Sequence, residues 1–319
     1  VALSQRPTLL ALRALGLGDF LTGIPALRAL RSARADWELV LATSAALRPL
    51  VELAGGVDRV LPTEGLGRPL AWAAPGPELA VNLHGRGPES SRLLSALGPG
   101  QLVAFDCPEA SVAGPAWRPD EHEVSRWCRL LEEALDVRTD PSDLGLRRPQ
   151  VASPVEGAVV IHPGAAFPSR RWPTERFAAV AAAAAAWGLP VAVTGSSAER
   201  QLAQSVAAQA GVPKTAVLAG RTSLLELAAL VSSARLVVSG DTGVAHLATA
   251  YGTASVVLFG PISPYLWGPP RGSGPHRALW HDGPQGDPWG RQVDPGLLEI
   301  TVAEVVAAAE QLLSVESGR

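Results

Sequence analysis

An α/β protein built as two doubly wound halves is the fold class this sequence predicts, on three observations. Short apolar runs of strand length alternate with longer segments of helical period along most of the chain, which is the pattern of a parallel sheet covered by helices on both faces. The alternation lapses between Val137 and Glu156, a charged stretch punctuated by Pro141, Pro149 and Pro154 that reads as a linker. Finally, 319 residues, 47% of them apolar, suffice for two cores of ordinary size. The expected domains are residues 1–150 and 151–319.

In the first half, strands are expected at Thr8–Arg13, Trp37–Ala42, Arg59–Leu61, Leu79–Leu83 and Leu102–Phe105. Helices are expected at Leu21–Arg31, Ala45–Leu53, Ser90–Leu97 and Glu121–Leu135, the last with Val124, Trp127, Leu130, Leu131 and Leu135 near helical spacing. The second half restarts with strand Ala158–His162, helix Thr174–Trp187, strand Val191–Thr194 and helix Ala198–Ala210. Gly188 and Gly211 follow those helices as C-terminal stops. Strand Ala216–Leu218, helix Ser223–Ser233, strand Leu236–Ser239, helix Val244–Tyr251 and strand Ser255–Phe259 complete the alternation. From Gly260 to Pro295 the sequence is rich in Pro, Gly and Trp and reads as an ordered, packed loop without regular elements. A final helix, Val302–Leu313, is placed at the end, with a return onto the first domain open to it.

Charge and composition narrow the partners. A formal net charge of −3 and a pI near 6.1 lack the basic footprint that nucleic acid or an anionic bilayer requires. No apolar run approaches the ~20 residues of a bilayer span, so any membrane contact is expected to be peripheral. Cys107 and Cys128 stand in no metal-ligand spacing, which points to a reducing compartment, the cytosol, without a disulfide framework. One lysine, no methionine and abundant Ala, Gly, Pro and Arg suggest a GC-rich bacterial source.

In open parallel sheets, ligands bind beyond the carboxyl ends of the strands, where helix N-termini receive anions. Gly16-Leu17-Gly18-Asp19 lies between the first strand and first helix. Asp19 there could take a proton from a hydroxyl or simply cap the helix, and spacing alone favours the cap. Ser239-Gly240-Asp241-Thr242-Gly243, with His246 on the following helix, combines amides, a hydroxyl and a carboxylate where a diphosphate and its sugar could be held; a capped turn fits equally well. His162-Pro163-Gly164-Ala165-Ala166 and Ser169-Arg170-Arg171 lead into another helix and suit a phosphate cradle or a solvated surface. Glu199 follows Gly195-Ser196-Ser197-Ala198, where an acid could meet ribose hydroxyls or face solvent.

Taken together and in order, LLALRALGLGDFLTGIPALRALR, VNLHG, HPGAAFPSRRWP and LAGRTSLLELAALVSSARLVVSGDTGVAHLATAYG resemble glycosyltransferase family 9, the lipopolysaccharide heptosyltransferases, from about Leu9 to Leu258. The resemblance implies a GT-B fold, two doubly wound Rossmann-like domains facing a central cleft, with the acceptor on the first and an ADP-heptose-type donor on the second. It implies Asp19 as general base, with Gly18 and His84 on the acceptor side. Gly164, Ser169, Arg170, Asp241, Thr242, Gly243 and His246 are implied at the donor phosphates and sugar, and Glu199, Leu218 and Gly220 at the nucleoside. No cofactor and no metal are implied, in keeping with the lack of a D-x-D pair. Asn82 stands where the family often has Asp, and Arg170 where it often has Lys.

The expected reaction is inverting, metal-independent transfer of a heptose-type sugar to a hydroxyl acceptor, either a lipopolysaccharide core or a small-molecule scaffold. Domain closure would bring the two turns together. A GT-B-like nucleotide-sugar epimerase and a non-catalytic nucleotide-sugar-binding protein are the alternatives. The oligomeric state is not predicted.

Overall fold

A computed structural model describes residues 6–73, 75–270, 272, 274–283 and 286–317. The chain divides into two compact units, one running to Leu144 and the other starting at Gly145. The first unit comprises β1 (Thr8–Leu12), α1 (Leu17–Thr22), α2 (Ile24–Ala33), β2 (Glu38–Thr43), α3 (Arg48–Ala54), β3 (Arg59–Pro62), β4 (Leu79–Asn82), α4 (Glu89–Ser95), β5 (Gln101–Val103) and α5 (Glu123–Leu135). Its five strands are all parallel, in the order β3-β2-β1-β4-β5. Strand order reverses between β1 and β4, so the crevice beyond their carboxyl ends is the switch point where open sheets bind ligands.

After Thr8, β1 is apolar and its last four residues are buried, as a strand covered on both faces requires. The single helix expected over Leu21–Arg31 is two: α1 and α2 meet at Gly23. A Cβ at Gly23 would lie 2.8 Å from the Cδ of Arg13, so the glycine at this junction leaves room for that side chain.

The second unit comprises β6 (Val159–His162), α6 (Thr174–Ala186), β7 (Val191–Val193), α7 (Arg200–Gln209), α8 (Leu224–Ser233), β8 (Leu236–Gly240), α9 (Gly243–Tyr251), β9 (Ser255–Leu258), α10 (Pro264–Trp267), β10 (His276–Leu279), α11 (Pro295–Glu299) and α12 (Val302–Ser317). Its parallel sheet runs β10-β9-β8-β6-β7. Ala216–Leu218 is no strand. It ends a 3-10 turn (Lys214–Ala216) and reaches the sheet through one parallel bridge, Val217 to Val193. Here the switch point falls between β6 and β8.

Two further expectations are corrected. The region from Gly260 to Pro295 contributes β10 to the sheet and one short helix, α10, although residues 271, 273, 284 and 285 lie outside the described residues. α12 packs Val305, Ala308, Ala309 and Leu312 into the second unit's own core, beside Trp172, Phe177 and Val256.

Candidate functional site

At the switch point of the first unit, the chain leaves β1 and turns at Gly16, whose extended backbone starts α1. Asp19 is in the first turn of α1, one residue after Gly18, and is half-buried. Its carboxylate accepts a hydrogen bond from the Gly16 amide at 3.2 Å. A carboxylate has about four accepting positions, so the bond to the Gly16 amide does not by itself exclude proton transfer.

His84 follows β4 at the same edge. Its Nδ1 accepts from the Ala14 amide at 3.2 Å, which leaves Nε2 as the protonated, donating nitrogen. Burial, with the Arg13 guanidinium adding to it, lowers its pKa to about 4, so it is neutral near pH 7. Asn82 fixes this turn by accepting from the His84 amide at 3.0 Å and donating to Ser90 Oγ and Ser91 Oγ at 2.9 and 3.1 Å. An ionised Asp could accept in the same place but not donate.

In the second unit, β8 ends at Gly240 and leads through Asp241 to Thr242, the N-cap of α9, and Gly243, its first residue. The Asp241 carboxylate lies 3.9 Å from Arg170 Nη1 and 3.8 Å from His246 Nε2, all three side chains being largely buried. His246 also meets the Trp267 ring edge-to-face at 6.0 Å. The buried hydroxyls of Thr242 and Ser239 have no hydrogen-bond partner among the described residues. An orphaned hydroxyl costs about 1–3 kcal/mol, so the Thr242 hydroxyl at the start of α9, next in the chain to Asp241, suits an anion that would satisfy it.

Ser169 and Arg170 both reach the loop that carries Pro288. Its hydroxyl donates to the Pro288 carbonyl at 3.0 Å, and Arg170 Nε donates to the same carbonyl at 3.2 Å. The serine hydroxyl thus helps to anchor the 286–290 loop, while Arg170 Nη1 lies 3.9 Å from Asp241.

A second cluster forms at the carboxyl end of β7. Glu199 accepts from the Ser196 amide at 2.7 Å, and a Cβ on Gly164 would lie 2.1 Å from its carboxylate. Gly220 donates to the Gly195 carbonyl at 2.9 Å, and its positive φ of 65° brings its backbone against Ser197. Leu218, half-buried, donates its amide to the Val193 carbonyl at 2.9 Å. Glu199, Leu218 and Gly220 are thereby brought to one edge. His162, in register with Ser239, shares a 3.0 Å hydrogen bond with Thr194 Oγ1, and burial holds its pKa below the ordinary value.

Sequence reading gave Arg13 no role beyond the last residue of the first strand. It is fully buried and bonded to four different residues, at sequence separations of up to 110 that no local pattern displays. Among the described residues, no group of three His, Cys, Asp or Glu side chains is placed to hold a metal ion, and no helix is long and apolar enough to cross a membrane.

Comparison with known proteins adds a family. Residues 112–276 match the profile of glycosyltransferase family 9 (heptosyltransferase), about half of the chain. Lipopolysaccharide heptosyltransferase 1 of Pseudomonas aeruginosa is 36% identical over 159 residues, 48% of this chain and 43% of that one. The chain thus spans about half the length of the curated relatives it matches, or less. Among solved structures, the E. coli ADP-heptose lps heptosyltransferase II superposes with a TM-score of 0.77 at 19% identity, over 97% of this chain and 99% of that one. The iron-containing dodecameric glycosyltransferase TibC of E. coli gives 0.64 at 16% identity, over 99% and 78%. These two likenesses establish a shared fold, two parallel-sheet Rossmann-like units of the GT-B kind.

Proposed function

The chain belongs to glycosyltransferase family 9, and from that premise we propose that it transfers a heptose-type sugar from an ADP-activated donor to a hydroxyl acceptor, with Asp19 as general base. The observation that carries this reading is the turn after β8. There a buried Thr242 hydroxyl at the start of α9, without a hydrogen-bond partner among the described residues, follows an Asp241 carboxylate flanked by Arg170 and His246. A diphosphate would satisfy the hydroxyl and the guanidinium together, and Asp241 would accept from sugar hydroxyls. Glu199, Leu218 and Gly220 would hold the nucleoside one strand away.

In the reaction, the acceptor oxygen forms a bond to the anomeric carbon as the bond from that carbon to the diphosphate oxygen breaks. Asp19 takes the acceptor hydroxyl's proton, and ADP leaves with the bonding electron pair. A single displacement of this kind inverts the anomeric configuration. Arg170, Thr242 and the first amides of α9 stabilise the charge that builds on the leaving diphosphate, and neutral His84 donates from Nε2 to an acceptor oxygen. The reading assigns no metal to these steps. TibC's iron makes that the feature to check directly: chelation leaves transfer unchanged if the proteinaceous cations suffice. The free, buried cysteines suit the cytosol.

The test is a melting-temperature panel of ADP-, GDP-, UDP- and dTDP-sugars, followed by transfer from the stabilising donor to a heptose-free lipopolysaccharide core and to small hydroxylated scaffolds. Stabilisation by ADP-heptose and a new glycosidic product are expected. Interconversion of the donor sugar with no acceptor present would make the protein an epimerase. Binding with neither transfer nor hydrolysis would make it a binding protein.

A further inference from the structure

Arg13 follows β1 and has no solvent exposure at all. A guanidinium in such a place is tolerated only when its donors are matched, and here every arm has a partner. Nε donates to the Asp19 carbonyl, Nη1 to the Leu83 carbonyl, and Nη2 to Thr22 Oγ1 at 2.9 Å and to Glu123 Oε1 at 3.1 Å. Its flat face lies 4.9 Å from the centre of the Trp127 ring. Glu123, on α5, accepts in addition from Trp127 Nε1 at 2.8 Å and from Arg126.

Two of those acceptors belong to the machinery proposed above. One is the main chain of Asp19 itself; the other is the carbonyl just before His84. A single planar, rigid group therefore bridges the turn after β1 and the turn after β4. Thr22 adds a third tie, since its hydroxyl donates to the Asp19 carbonyl at 3.0 Å. Gly23 leaves the space through which the arginine stem passes. Replacing a buried ion pair by apolar residues of similar volume is often neutral or stabilising. Retention of charge here calls for a use other than stability.

We infer that Arg13 is a positioning residue for glycosyl transfer: its guanidinium, neutralised by Glu123, holds the Asp19 turn and the His84 turn in one fixed relation. The inference rests on the reading of Asp19 as base. Lysine would keep the charge but present one tetrahedral ammonium in place of a planar fork, so it cannot span the same acceptors.

The experiment compares the wild-type protein, Arg13→Met/Glu123→Gln, Arg13→Lys and Asp19→Asn. The double substitution removes the clamp without leaving Glu123 as an unpaired charge, and Arg13→Lys keeps the pairing should the double variant fail to fold. Turnover is read as ADP released from ADP-heptose, with water and with heptose-free lipopolysaccharide core as acceptors. Both Arg13 variants are expected to lose about 10²-fold in kcat per folded molecule, with KM for ADP-heptose within about twofold, because misplacing a reacting group by about 1 Å costs that much. A purely structural role would lower the folded fraction and leave kcat per folded molecule unchanged, which would overturn the inference. Nitrogen NMR of His84 supplies a readout free of substrate. Wild-type protein is expected to hold the Nε2-protonated tautomer at pH 6, and the Arg13 variants to lose that fixed state. An unchanged His84 spectrum, with unchanged amide exchange over Phe20–Gly23, would overturn it as well. If Asp19→Asn turns over normally, the reading of the base fails; if it is inactive while the Arg13 variants are fully active, only the positioning role fails.

Discussion

The carboxylate of Glu199 occupies the space that a side chain on Gly164 would need, with 2.1 Å between an added Cβ and its nearest oxygen. The two residues come from the turns after β7 and β6, so the glycine is what admits the acid to the edge of the sheet. Because the colliding atoms are the end of a flexible side chain, Gly164→Ala should fold and displace Glu199 rather than unfold the unit. We expect ADP to bind about tenfold more weakly by calorimetry, matching Glu199→Ala. An alanine variant with wild-type affinity would separate Glu199 from the nucleoside.

Thr242→Val should act with opposite signs on stability and binding. The threonine caps α9 without a side-chain hydrogen bond, and its buried hydroxyl is unpartnered among the described residues. Removing that hydroxyl relieves a desolvated polar group, so the free protein should be as stable as wild type or up to ~1 kcal/mol more so. Affinity for ADP should fall while affinity for adenosine is unchanged. Loss of stability in urea unfolding would mean that the hydroxyl is satisfied in the free protein.

Acid should destabilise the first unit through His84. Its folded pKa, about 4, lies below the ordinary value of 6.5. The unfolded chain therefore binds the extra proton first, and the contribution to stability is full above pH 6.5 and declines as pH falls toward 4. His84→Gln should flatten the fall in melting temperature across that window. His162, also lowered, contributes a second proton in the same direction.

Much of this was legible in the sequence, for identifiable reasons. The strand–helix alternation and the glycine stops are local signals, and the turns after β1, β6, β7 and β8 lie where parallel strands end, so Asp19, Arg170, Glu199 and Asp241 could be singled out from one chain. What escaped depends on distant contacts. The glycine between α1 and α2 makes room for the Arg13 side chain, a contact the local sequence does not display. Arg13 itself is explained by Glu123, 110 residues away. The bond from Ser169 to the Pro288 carbonyl spans 119 residues and has no local signal. β10 was hidden because Arg277 and Ala278 are exposed on an edge strand, which erases the apolar signature of its neighbours.

The most direct test of the account is single-turnover transfer from bound ADP-heptose by Asp19→Asn. Asparagine retains an oxygen to accept from the Gly16 amide, so the start of α1 is preserved while the base is removed. Wild-type donor affinity is expected, with transfer slowed ~10²- to 10⁴-fold. Transfer at the wild-type rate would contradict it and return Asp19 to the role of a helix cap.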